Sequence, residues 1–157
     1  MSAASDKSRQ QELASIEQRI NELVQQSRIL EAYMNDIVTR QVAVGRAIEE
    51  ARLASTTIQN ITSESDVESL MPIGIGVYIK AKVPPMKKLL VNLDAGIAIE
   101  KSREDALNYV ESRIKEYEVA ARQLEAQRQQ IGVHMNQLQS QINQMIQAAQ
   151  QQQQQLG

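Results

Sequence analysis

LASIEQRINELVQQSRILEAYMNDI, residues 13–37, decides the fold. Its apolar side chains step by three and four through Leu13, Ile16, Ile20, Leu23, Leu30, Met34 and Ile37, and the steps continue at Val44, Ile48 and Ala51. An average spacing of 3.5 residues held over about six heptads specifies a coiled-coil seam, because that period keeps one stripe of a helix facing the same partner. The stepping returns from Leu107 through Val110, Ile114, Tyr117, Ala121, Leu124, Ile131, Met135, Leu138, Ile142 and Met145. Between the two, over residues 66–101, the pattern switches to period two, the mark of strands.

The composition suits such a seam and little else. The 157 residues include no Phe, no Trp and four Tyr, too few large side chains for a broad three-dimensional core. A coiled coil buries only a narrow stripe of Leu, Ile, Val and Ala. The net charge of −2 gives no field that would gather nucleic acid or anionic lipid. Cysteine is absent, which excludes disulfides, thiolate catalysis and thiolate-held metals. The polar stretch Met1 to Gln11 contains no signal-peptide core. No apolar run approaches the roughly 20 residues that span a bilayer. The expectation is a cytoplasmic protein with no nucleic-acid or membrane partner.

Helix one is read over 7–55, ending at the β-branched and polar run Ser55-Thr56-Thr57. Its seam holds Leu13, Ile20, Ser27, Met34, Gln41 and Ile48 at a, with Ile16, Leu23, Leu30, Ile37, Val44 and Ala51 at d. Glu68 to Pro72 reads as a strand and Ile73-Gly74-Ile75-Gly76 as a turn whose glycines take positive φ. Val77, Ile79, Ala81 and Val83 then alternate with Tyr78, Lys80 and Lys82. Pro84-Pro85 interrupts the ladder, Leu89, Val91 and Leu93 form the next strand, and Asp94-Ala95-Gly96 turns the chain back through Ile97 and Ile99. Ser102 and Asp105 resemble a capping box that opens helix two over 103–149. Residues 150–157 read as a Gln-rich frayed tail.

The fold class is α+β, mostly α: a long antiparallel coiled-coil hairpin with two β-hairpins between its helices. The preferred register sets Ala51 beside Leu107, Ile37 beside Ala121, Ile20 beside Leu138 and Leu13 beside Met145, with Arg128 facing Leu30. Registers one heptad away also satisfy the pattern but would need a lopsided linker.

Two small hairpins are marginal in water unless their apolar face is covered. Free strand edges invite pairing with another chain. The residues expected to assemble into an intersubunit β-barrel are Ile75, Val77, Ile79, Ala81, Val83, Leu89, Val91, Leu93, Ile97 and Ile99.

Catalytic chemistry finds no foothold. His134 is the one histidine, placed at a g position on a helix flank, so neither a metal centre nor a Ser-His-Asp arrangement has support. Gly74-Ile75-Gly76 lacks the following helix of a phosphate-binding loop. The clustered Lys80, Lys82, Lys87 and Lys88 read as a solvated sheet face. No enzyme activity, catalytic residue, metal or cofactor is expected. At the far helix ends lie Leu13, Ile16, Ile20, Leu138, Ile142, Met145 and Ile146, which either close the coiled coil or, where the ends fray, offer adaptable apolar contacts.

The run Leu70-Met71-Pro72-Ile73-Gly74-Ile75-Gly76-Val77-Tyr78-Ile79-Lys80-Ala81, with Leu89 to Lys101, resembles the double-hairpin head of the prefoldin family in its α class. The flanking heptads occupy the rest of the chain in the same order. The resemblance implies a hexamer of two α and four β subunits whose hairpins form joined barrels. It implies an ATP-independent co-chaperone that holds unfolded client proteins and passes them to a group II chaperonin. It also places client binding at the distal tips, here around Leu13 to Ile20 and Leu138 to Ile146. The rival expectation is a structural coiled-coil tether for one folded partner.

Overall fold

A computed structural model describes residues 2–61 and 64–156. Helix α1 spans Ser2–Asn60 and α2 spans Arg103–Leu156. Between them lie β1 (Val67–Gly74), β2 (Val77–Val83), β3 (Lys88–Leu93) and β4 (Ile97–Ser102). The element order is the one expected, but both helices outrun their expected limits of 7–55 and 103–149.

Helix α1 starts at Ser2 and passes through Ser55-Thr56-Thr57 to Asn60. The threonine hydroxyl that was expected to break the helix bonds back onto it instead: Thr57 Oγ1 donates to the Leu53 carbonyl at 2.8 Å. Helix α2 runs on through Gln150 to Gln155, the stretch expected to fray. Glutamine is a good helix former. In addition, Gln152 Nε2 donates to Glu12 Oε2 at 3.0 Å, tying this last segment to α1.

The chain divides into two compact units. One takes in the residues up to Val42 and from Arg122 onward; the other is Ala43–Ala121. In the first, Leu23, Leu138 and Ile142 form a buried cluster with Val24, Leu30 and Met145 packed against it. Every α1 seam position from Leu13 to Ala51 is buried or half-buried, polar Ser27 and Gln41 included. The α2 seam from Leu107 to Met145 behaves alike except at Arg128, whose side chain is exposed.

The register differs from the expected one by a heptad. Pairing Ile20 with Leu138 would set Leu23 level with Met135 and leave Ile142 seven residues, roughly 10 Å, further along. Leu23 instead shares its core with Ile142. Gln41 Nε2 donates to Glu125 Oε2 at 2.9 Å, and the Met34 methyl lies 4.0 Å from where a side chain on Gly132 would begin. A heptad pattern leaves shifts of seven open, so the placement of the helix ends decides among them. An end at Ser55 favours one shift; the true end at Asn60 favours the next.

In the second unit the strands form two separate two-stranded antiparallel sheets, β1 with β2 and β3 with β4. Ile73 and Gly74, expected in the turn, belong to β1. The register shifts between Pro72 and Gly74. The turn itself is Ile75-Gly76, with φ of 50 and 74, as a two-residue hairpin with left-handed central residues requires. Asp94-Ala95-Gly96 closes the second hairpin, with φ of 74 at Ala95 and 75 at Gly96.

The start of α2 is capped as expected: Asp105 N donates to Ser102 Oγ at 3.1 Å. The end of α1 is held by a residue that the sequence did not single out. Arg103 Nε donates to the Ile58 carbonyl at 2.9 Å, and its Nη2 to the Gln59 carbonyl at 2.6 Å. These acceptors lie in the last turn of α1, where carbonyls lack intrahelical partners. Arg103→Met is expected to cost about 1–2 kcal/mol, the loss of two charge-assisted bonds partly replaced by water. Urea denaturation checks it against Arg28→Met, for which the change is expected within about 0.5 kcal/mol.

Candidate assembly and client surfaces

The first hairpin is apolar on both faces, not one. Cross-strand pairs set Met71 opposite Ile79 and Ser69 opposite Ala81 on one face. Leu70 opposite Lys80 and Pro72 opposite Tyr78 occupy the other. Leu70, Met71, Ile73, Ile75, Val77, Tyr78 and Ile79 are all exposed. Nothing else in the described chain covers them. Monomeric proteins seldom leave so contiguous an apolar set in water.

The second hairpin is one-sided. Leu89, Val91, Leu93 and Ile99 are half-buried, whereas Leu90 and Ile97 stay exposed. Beside β3 lies a cavity of about 590 Å³, walled by Leu53, Ala54, Ile58 and Ile61 on one side and by Leu89, Val91 and Val110 on others. Ala106, in the second turn of α2, is buried at its wall.

Of the ten expected assembly residues, then, Ile75, Val77, Ile79 and Ile97 are open while Ala81, Val83, Leu89, Val91, Leu93 and Ile99 are half-buried. Leu70, Met71, Ile73, Tyr78 and Leu90 are exposed members that sequence reading did not include. Treating Ile73 as turn hid the length of β1, and with it the second apolar face. Lys80, Lys82, Lys87 and Lys88 are exposed, and Lys82 stands opposite Glu68, a favourable cross-strand combination.

Two cation–aromatic pairs lie along the junction of β4 and the first turns of α2. Lys101 Nζ sits 5.2 Å from the centre of the Tyr109 ring and the Arg113 guanidinium 5.5 Å from that of Tyr117. Tyr117, and then the hydrogen bond to Glu116, raise the Arg113 pKa above its usual value.

In the other unit the seven expected tip residues separate. Leu138 and Ile142 are buried; Leu13, Ile16, Ile20 and Met145 are half-buried; Ile146 alone of the seven is open, at 40% exposure. Away from the seam, Ile29, Tyr33, Val38, Val42 and Val133 are exposed. Their off-seam heptad positions were the available signal. His134 is exposed on its helix flank. Among the described residues no His, Cys, Asp and Glu group could hold a metal, and no helix is long and apolar enough to cross a membrane.

Two long seam-forming helices joined through two successive β-hairpins define a narrow structural class. The family model described as prefoldin subunit matches residues 30–155, and the chain belongs to the prefoldin family. Prefoldin subunit alpha of Nitrosopumilus maritimus is 34% identical over 135 residues, covering 86% of this chain and 93% of that protein. Prefoldin subunit alpha of Methanospirillum hungatei is 27% identical over 147 residues, 93% of each. The fold is shared with a cryo-EM structure of filamentous PFD from Methanocaldococcus jannaschii, at a TM-score of 0.60 and 23% identity, covering 77% of this chain and 98% of that one. The chain is accordingly a co-chaperone subunit.

Proposed function

We propose that this chain is the α-class member of a cytoplasmic hexamer of two α and four β subunits that holds unfolded clients without ATP and passes them to a group II chaperonin. The observation that carries the assembly half of this reading is the first hairpin, apolar on both faces and uncovered. The residues of both hairpins, from Ile75 and Val77 on the first to Ile97 and Ile99 on the second, supply the contacts to neighbouring β subunits. The whole chain serves as a single prefoldin-like domain.

Clients bind at the helix ends. Ile146 offers an apolar contact without rearrangement. Leu13, Ile16, Ile20, Leu138, Ile142 and Met145 become available when the ends part, which exchanges seam contacts for client contacts at small net cost. Each grip is weak, and several linked grips raise the effective concentration for the next. Met145 suits such contacts because its thioether is flexible and polarizable.

Two outcomes test the reading. Ile146→Gln, at an exposed position, is expected to weaken suppression of client aggregation while leaving stability within about 0.5 kcal/mol. Glu12 and Gln152 lie within hydrogen-bonding distance, so a short bis-maleimide link between Glu12→Cys and Gln152→Cys holds the ends together. The chain has no other cysteine to compete. Linked hexamer is expected to lose most of its aggregation suppression and unlinked hexamer to keep it. Full suppression by the linked form contradicts client capture by parted ends. A tether for one folded partner would slow aggregation in neither form.

A further inference from the structure

Sulfur in this chain is confined to thioethers, since it has six methionines and no cysteine. Met34, Met86, Met135 and Met145 are each half-buried. Met71, on the first hairpin, is 49% exposed and is the open thioether among the described residues. Oxidation of methionine follows access of the oxidant to sulfur, so Met71 is the position most open to it.

Its place in the hairpin gives that exposure a consequence. Met71 stands opposite Ile79, and the pair Ser69 and Ala81 shares their face. Strand alternation adds Val77 to the same face. Val77 and Ile79 are themselves exposed. The Ser69 hydroxyl is the single side-chain donor in this group, and no charge lies between Met71 and Tyr78. With the face open, water satisfies any polar atom placed on it. Once another subunit covers the face, that atom loses its water and has one hydroxyl on this hairpin to replace it.

We infer that Met71 is a peroxide-sensitive assembly switch: hydrogen peroxide converts its thioether to the sulfoxide in the free subunit, and the sulfoxide keeps the first hairpin out of the hexamer. The sulfur lone pair attacks the near peroxide oxygen and the O–O bond breaks. The proton on the transferred oxygen passes to the departing hydroxide, which leaves as water. Sulfur is oxidised by two electrons and the peroxide is reduced by two. A flexible apolar side chain thereby becomes a polar, chiral one at the residue facing Ile79. The reaction needs an open face and assembly closes it. Subunits already in the hexamer are therefore shielded, while oxidised free ones are withheld until a sulfoxide reductase restores the thioether. This role rests on the reading of the first hairpin as an assembly surface.

Peptide mapping by mass spectrometry over a peroxide time course tests it, on the full chain alone and after mixing with a β-class subunit. In the free chain Met71 is expected to gain one oxygen about fivefold or more faster than Met34 or Met135, and in the hexamer to lose that lead. Native mass spectrometry then follows assembly of the treated chain. Assembly is expected to weaken about tenfold or more and to recover after treatment with methionine sulfoxide reductases. Met71→Leu has no thioether at this position, so its treated and untreated forms are expected to assemble within about twofold of each other. Oxidation of Met71 no faster than that of the half-buried methionines, full assembly of the oxidised chain, or equal peroxide sensitivity in Met71→Leu each overturns the inference. The untreated chain separates these failures from failure of the assembly reading. If it never joins the β-class subunit, that reading falls and the switch with it; if it joins normally, a negative result sinks the switch alone.

Discussion

Leu23→Ala is expected to lower the unfolding free energy by about 3 kcal/mol, the middle of the range for a buried leucine cut back to alanine. Leu23 is 1% exposed and is the largest fully buried side chain described. It contacts a cluster, with Leu138 and Ile142, that a two-helix unit cannot collapse around without separating the helices. The matched control is Ile29→Ala. Ile29 lies six residues along the same helix but is exposed, so its truncation is expected to cost under about 0.5 kcal/mol. Urea titration followed by helix circular dichroism measures both. A loss below about 1 kcal/mol at Leu23 would mean that this cluster is already open much of the time. The same result would extend the client-competent surface inward from the ends.

Val77→Asp with Ile79→Asp is expected to dissolve the assembly. Both side chains are exposed in the isolated chain, so the substitutions cost its fold little. In an assembled head the same positions would bury two carboxylates without partners, which costs several kcal/mol each before relaxation. Light scattering is expected to show the mass falling to that of single subunits, with helix content by circular dichroism unchanged. Retention of the assembled mass contradicts the placement of these residues at a subunit contact. Val91 is the less informative site for such a charge, because it also walls the cavity beside β3 and its replacement would disturb the second hairpin from within.

Much of the architecture was legible in the residues because the coiled coil is a one-dimensional code. Twelve a and d positions from Leu13 to Ala51 were named from spacing, and the side chains at all of them are sheltered. The Ser102 cap was legible for a similar reason: a hydroxyl three residues before Asp105 has one local bond to make, and makes it. What failed was the placement of three helix ends, both ends of α1 and the far end of α2, whereas the start of α2 at Arg103 fell where its cap put it. Ser55-Thr56-Thr57 looked like a stop, since isolated threonines favour other conformations, yet Thr57 bonds back to Leu53 and the helix persists. That five-residue error moved the inferred register by a whole heptad, because a repeating pattern cannot oppose a shift equal to its own period.

The candidate surfaces were legible by type and not by exposure. Alternation located the β2 and β3 faces, but β1 alternates poorly, with proline and glycine at Pro72 and Gly74, so its outward Leu70 and Met71 escaped notice. At the helix ends the seam rule identified the apolar residues correctly. It could not say that Ile142 is sealed in a core while Ile146, one heptad position away from the seam, faces water. Arg103 was out of reach for another reason. Its partners are backbone carbonyls at Ile58 and Gln59, and no side-chain pattern advertises a carbonyl.

Native mass spectrometry of the full chain, alone and after mixing with a β-class prefoldin subunit, measures the central claim that these hairpins are completed by other subunits. The account predicts that the mixture yields a six-subunit species holding two copies of this chain. A stable lone monomer that ignores the added subunit would contradict it.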